Sequence, residues 1–146
     1  MGASAAMAQG MADTPYEDMI VIPTEHDFDT LWDRMEAAVT GHEMLLVGRA
    51  SASRGAAGRG IDIPGNGVID VYRNDFAVRM LEASVAAGFE APIRYYLTEG
   101  EDGTATLSYR PPSAVFAPYG NAALDEMAAE LDAIFAAIAA DATAAP

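Results

Sequence analysis

Arginine is the residue type in this chain best suited to bind something: all eight strongly basic residues, at positions 34, 49, 54, 59, 73, 79, 94 and 110, are arginine, and none is lysine. A guanidinium offers several N–H donors in a planar fork, so converging arginines make a receptor for a carboxylate or phosphate. Arg73 and Asn74 fall at an expected strand-to-helix junction, and Arg49, Arg94 and Tyr96 fall on expected strands. A sheet edge or cleft that joins these five would be a local positive pocket for a small anion. Ion pairs with the chain's many carboxylates account for the same arginines without any ligand. The lack of lysine excludes Schiff-base and phosphate-loop lysine chemistry, and the lack of cysteine excludes disulfides, thiolate metal sites and a cysteine nucleophile.

Other reactive residue types are sparse. His26 and His42 flank the first expected helix and would stand about 17 Å apart along it, too far to share one metal ion. Met7, Met11 and Met19 are loosely spaced thioethers of the kind that suits monovalent copper, although Met19 reads as a strand residue. Asp27, Asp29, Asp33 and Glu36 make an acidic band opposite the apolar face of that helix, the pattern of a solvated surface. The glycine-rich stretch around Arg54 and Arg59 matches neither the dinucleotide fingerprint nor the phosphate loop and reads as a connector. Ser51 and Ser53 have no local histidine and no nucleophile-elbow pattern. Metal and catalytic residues are assigned to none of these positions.

The elements that must carry those residues are legible from periodicity. Met19 to Ile22, closed by Pro23, is a first strand with an apolar run suited to burial on both faces. A helix follows, capped by Asp27 or Asp29, with Phe28, Leu31, Trp32, Met35 and Val39 at helical spacing and Gly41 as its left-handed stop. Met44 to Ala50 is a second strand, Ser51 to Gly60 a loop or weak helical turn, and Val68 to Arg73 a third strand after the Pro64 to Gly67 turn. Asn74 or Asp75 is the expected cap of a second helix with Ala77, Met80, Leu81, Ser84 and Gly88 on one face, Gly88 ending it. Ile93 to Thr98 and Thr104 to Tyr109 alternate with period two around an Asp102-Gly103 turn, an antiparallel hairpin. Pro111-Pro112 ends the second arm, and Asn121 caps a last helix with a stripe of Leu124, Met127, Ala128, Leu131, Ile134, Phe135 and Ile138.

The resulting order, β-α-β-β-α-β-β-α, predicts an α+β fold: a two-layer sandwich with a mixed, mostly antiparallel sheet under helices. A length of 146 residues suits one domain, placed at 16–139, between a leader at 1–15 and a frayed tail at 140–146. The formal charge of −14 makes the average surface repel phosphate backbones and anionic membranes, so nucleic acid is not an expected partner. No apolar run reaches the roughly 18 residues of a spanning helix, so membrane insertion is not expected. Ala6-Met7-Ala8 fits the small-x-small rule for signal-peptide cleavage before Gln9, which places the mature protein in the periplasm. The alternative is a chance alanine-rich leader on a cytoplasmic protein.

Asp27-Phe28 through Met35-Glu36-Ala37-Ala38, Val71 to Leu81, Ala91 to Tyr95, Asp102 to Tyr109 and Pro112 to Tyr119 together resemble the family catalogued as domain of unknown function 302, over about Tyr16 to Ile138. The resemblance implies one small α+β domain, similar in class to a TATA-binding-protein-like sandwich, often dimeric and without an established activity. Many relatives carry an aspartate-histidine pair after the second strand, where this chain has Arg49 to Arg54 and no histidine. Their Gly-Asn-Pro turn before the second helix is Arg73-Asn74-Asp75 here. The expectation is therefore a non-enzymatic periplasmic binding or interaction module, homodimeric through the last helix or the outer sheet face. The alternative is a protein for a small molecule, haem, metal ion or small anion, or an enzyme acting on such an anion, using the arginine and tyrosine cleft; the cofactor is left unassigned.

Overall fold

A computed structural model describes residues 14–146. The expected leader and the thioethers Met7 and Met11 lie largely outside these residues. Five strands, β1 (Ile20–Pro23), β2 (Leu45–Ala50), β3 (Asn66–Tyr72), β4 (Ile93–Glu99) and β5 (Ala105–Tyr109), form one sheet in the order β1-β5-β4-β3-β2. Among the described residues five α-helices accompany them: α1 (Phe28–Gly41), α2 (Ala52–Gly58), α3 (Asn74–Ala83), α4 (Pro112–Phe116) and α5 (Ala122–Thr143). Two 3₁₀ turns, Ala86–Glu90 and Ala117–Tyr119, complete the order.

The fold is an α+β sandwich, and its sheet is antiparallel at every pairing. No parallel pair accompanies the expected strand-helix-strand units, because each helical connection returns to the end of the sheet it left or crosses to the far edge. β3 leaves at Tyr72 and β4 begins at Ile93, which faces Val71, whereas β1 and β2 occupy opposite edges. β1 is accordingly an edge strand, half-buried rather than covered on both faces.

Helices α1, α3 and α5 supply the buried side chains of one layer: Phe28, Leu31, Trp32, Met35 and Val39 from α1, Phe76 and Met80 from α3, and Leu124 through Ala142 from α5. They meet Ile69, Val71, Ile93, Tyr95, Leu97, Ala105, Leu107 and Tyr109, the inward set of strands that alternate with period two. On the other face β3 keeps Asn66, Val68, Asp70 and Tyr72 half-buried, and β4 keeps Arg94 exposed and Tyr96 and Thr98 half-buried.

Local chemistry sets the element ends. Asp27 accepts from Thr30 N at 2.8 Å and Asn121 from Leu124 N at 3.0 Å, each satisfying an orphan amide of its helix. Gly103 turns the β4–β5 hairpin at φ 79°, a conformation a side chain resists. Other ends differ from the periodicity reading. α1 includes Gly41, and Glu43 is the left-handed residue (φ 60°), because Met44 N bonds back to Val39 O and tightens the exit. Ser51 accepts from Arg54 N, which caps the glycine-rich stretch into the short helix α2. Neither Asn74 nor Asp75 caps α3: Arg73 occupies the cap position, Asn74 is already helical, and its amide donates to Tyr72 Oη at 3.0 Å. α3 stops at Ala83, where Ser84 turns extended, so Gly88 lies in the following 3₁₀ turn and Leu81 is exposed.

The frayed tail expected after Ala139 is also corrected. α5 continues to Thr143 with Ala139 and Ala142 buried. Arg34 donates to Ala142 O (2.7 Å) and Asp141 O (2.9 Å), and His26 Nε2 meets Ala144 O at 2.7 Å. Carbonyls that a free helix end would leave to water are held by side chains.

Candidate functional site

The period-two alternation that buries Tyr95 turns its neighbours Arg94 and Tyr96 to the face the three core helices leave open. The β4–β5 register pairs Tyr96 with Ser108; carried two residues further it sets Arg94 opposite Arg110. These four side chains line a groove of about 690 Å³ with Tyr16, Met19, Val68, Phe89, Glu90 and Pro92. The volume lies within the range typical of small-molecule sites, about 300–1,000 Å³.

The polar groups of the groove are unequally committed. Arg110 donates to both oxygens of Asp18 (2.9 and 3.1 Å), and its guanidinium stacks over Tyr16, 3.9 Å from the ring centroid. Those hydrogen bonds hold the Asp18 carboxyl below the usual carboxylate range and raise Arg110 above its own. Glu90 accepts from Tyr119 Oη at 2.8 Å, which pushes the Tyr119 phenol up. Tyr96 Oη accepts from Asn66 Nδ2 at 2.6 Å, so its own proton stays available to donate. Arg94 is loosely held: Asp70 Oδ1 lies 4.0 Å from Nε, beyond hydrogen-bond distance. Ser108, only 1% exposed, has no hydrogen-bond partner for its hydroxyl. A buried hydroxyl in that condition is uncommon and costs about 1–3 kcal/mol.

Of the five residues singled out from sequence, the structure brings only Arg94 and Tyr96 together. Arg49 points to the helix layer and pairs with Glu36 of α1, which also accepts from Trp32 Nε1 at 2.9 Å. Arg73 is engaged by both oxygens of Asp75 (2.7 and 3.2 Å) and lies over the Phe76 ring, at the mouth of a separate apolar cavity lined by Met44, Met80 and Met127. Asn74 is spent on Tyr72. Sequence reasoning missed Tyr16, Ser108 and Arg110. Counting back from the Asp102-Gly103 turn would have placed Ser108 beside Tyr96 and Arg110 beside Arg94.

The remaining constellations have local explanations. Arg54 pairs with Asp29 at 3.0 Å and stacks over Trp32 at 4.6 Å. Ser51 and Ser53 bond to Asn66 O, fastening α2 to β3. His42 pairs with Asp141 and His26 with a backbone carbonyl, at separate points of the last helix turn. Among the described residues no cluster of three or more histidine, aspartate or glutamate side chains is placed to hold a metal ion, and no helix is long and apolar enough to cross a membrane.

No curated protein matches the chain significantly. Its fold is similar to the crystal structure of an uncharacterized conserved DUF302 protein from Bacillus stearothermophilus, with a TM-score of 0.76 and 18% identity, covering 88% of this chain and all of the other. The family model described as "Domain of unknown function DUF302" matches residues 20–142. With nearly the whole sheet and helix layer inside that match, the chain belongs to the DUF302 family.

Proposed function

We propose that this domain is a binding module, not an enzyme, and that it works through the groove on the open face of its sheet. One observation carries the reading: the groove holds a buried hydroxyl without a partner and a loosely held guanidinium beside apolar walls, the composition of a receptor. Among the described residues Ser108 Oγ has no hydrogen-bond partner, so no base is in place to activate it as a nucleophile. A fragment screen read by amide NMR tests it. Hits should move the amides of Val68, Tyr96 and Ser108, and Val68→Trp, which fills the groove, should abolish them. Hits confined to other surfaces would sink the proposal.

A second copy of the chain is a further occupant on the same reading. Val85 and Phe89, in and beside the turn that follows α3, are 78% and 90% exposed, and Val78 and Leu81 of α3 are exposed as well. Light scattering after size exclusion should return a dimer at micromolar concentration and a monomer for Phe89→Glu; a monomeric parent protein removes this part. We place the mature protein in the periplasm on the strength of Ala6-Met7-Ala8. N-terminal sequencing of exported protein should begin at Gln9, and an intact Met1 would refute export.

A further inference from the structure

We infer that the groove selects a small organic monocarboxylate with an apolar or aromatic body, its head held by Arg94, Tyr96 and Ser108. The inference rests on the groove being the binding site. It follows from counting what each polar group there has left to give.

Three groups on adjacent positions of one sheet face have unused donors. Ser108 Oγ has no partner at all. Tyr96, its cross-strand neighbour, accepts from Asn66 and keeps its proton free. Arg94, two residues along the same strand face, has no hydrogen-bonded acceptor among the described residues and a side chain 66% exposed. Arg110, by contrast, is occupied by Asp18, and Glu90, the one lining carboxylate among the described residues, already accepts from Tyr119. Asp70 Oδ1, beside Arg94, is a single buried acceptor without a partner, so donors stay in surplus, and the complementary head is a planar acceptor such as a carboxylate, which a guanidinium fork meets with two parallel bonds.

Charge decides the valence. Arg110 is neutralised by Asp18, and Asp70 lies 4.0 Å from Arg94 without a hydrogen bond, so Arg94 is the one guanidinium of the groove with its donors free, enough for one carboxylate and not for a dianion. A phosphate or dicarboxylate would meet Glu90 uncompensated. A single carboxylate needs only the donors named. Val68, Met19, Pro92 and Phe89 then supply apolar surface for the rest of the ligand.

The test uses three probes of one shape: 3-phenylpropionate, its neutral amide and 3-phenylpropylamine, titrated into the folded protein and followed by amide NMR. The carboxylate should bind about tenfold or more tightly than the amide, the size of one charge-assisted hydrogen bond. The amine should bind weakest. Arg94→Gln should bring carboxylate and amide to the same affinity while leaving the spectrum dispersed, and Ser108→Ala should weaken the carboxylate several-fold. If all three probes shift the groove equally, the carboxylate inference fails and the groove remains the binding site. If none shifts Val68, Tyr96 or Ser108, both fail.

Discussion

Tyr95 of β4 crosses the core to donate its hydroxyl to Phe135 O of α5 at 2.8 Å, while its ring stacks on the Phe135 ring with centroids 5.1 Å apart. One side chain thus joins the centre of the sheet to the centre of the long helix by packing and by a hydrogen bond. Tyr95→Phe should cost about 1 kcal/mol in urea unfolding, and Tyr95→Ala about 3–5 kcal/mol. Equal losses for the two variants would mean that the ring packing contributes little.

Burial pushes the Tyr95 and Tyr109 phenols up, so the folded protein keeps protons that the unfolded chain releases near pH 10. The unfolded state then binds fewer protons, and stability must fall as pH rises above about 10. Thermal midpoints measured from pH 8 to 11 should decline more steeply in the parent than in Tyr95→Phe. Parallel curves would contradict this.

At the acid end the sign reverses. The Thr30 amide holds the Asp27 carboxyl below its usual range, and hydrogen bonds from Arg110 and Arg73 do the same for Asp18 and Asp75. Their contribution is complete above the unfolded value of about 3.9 and disappears as pH drops through the lower folded values. Asp27→Asn keeps an acceptor for Thr30 but cannot titrate, so its thermal midpoint should depend less on pH between 2 and 5. A slope unchanged from the parent would rule Asp27 out as a contributor.

Two glycines are needed for space. A Cβ at Gly67 would stand 2.5 Å from Trp32 Cζ3 and 3.0 Å from Ala50 O, and one at Gly65 would collide with the Phe28 side chain. Gly67→Ala and Gly65→Ala should each destabilise by about 1–3 kcal/mol. Trp32 is the single tryptophan, so its emission should shift in Gly67→Ala. Unchanged stability would show that α1 can move away from β3 at little cost.

The last turn of α5 is held from outside by Arg34, His26 and His42. Removing 141–146 takes the partner from the buried His26 and exposes the surface beneath Ala142. Loss of about 1–3 kcal/mol or more is expected by denaturant unfolding. An unaffected midpoint would mean that the clamp is incidental.

Much of this architecture was legible because each element follows a local rule. The α1 and α5 stripes, the Asp27 and Asn121 caps and the two faces of the β4–β5 hairpin depend on spacing and on neighbours a few residues away. Local rules did less well where alternatives were close in energy. Asn74 turned to Tyr72 instead of capping α3, and the alanine-rich end of α5 stayed helical because Arg34 and His26 reach it from more than a hundred residues away.

The amino-acid sequence by itself determined the α+β class, the core stripes of α1 and α5 and the small repertoire of chemistry, since composition and periodicity depend only on which residues are present and how they are spaced. Tertiary structure alone decided that Tyr16, Val68 and Phe89 wall the Arg94 and Tyr96 face into a groove while Arg49, Arg73 and Asn74 lie outside it. The physical reason is that strand order and register choose each side chain's face and neighbour, and those choices arise from contacts distant in the chain that spacing cannot encode.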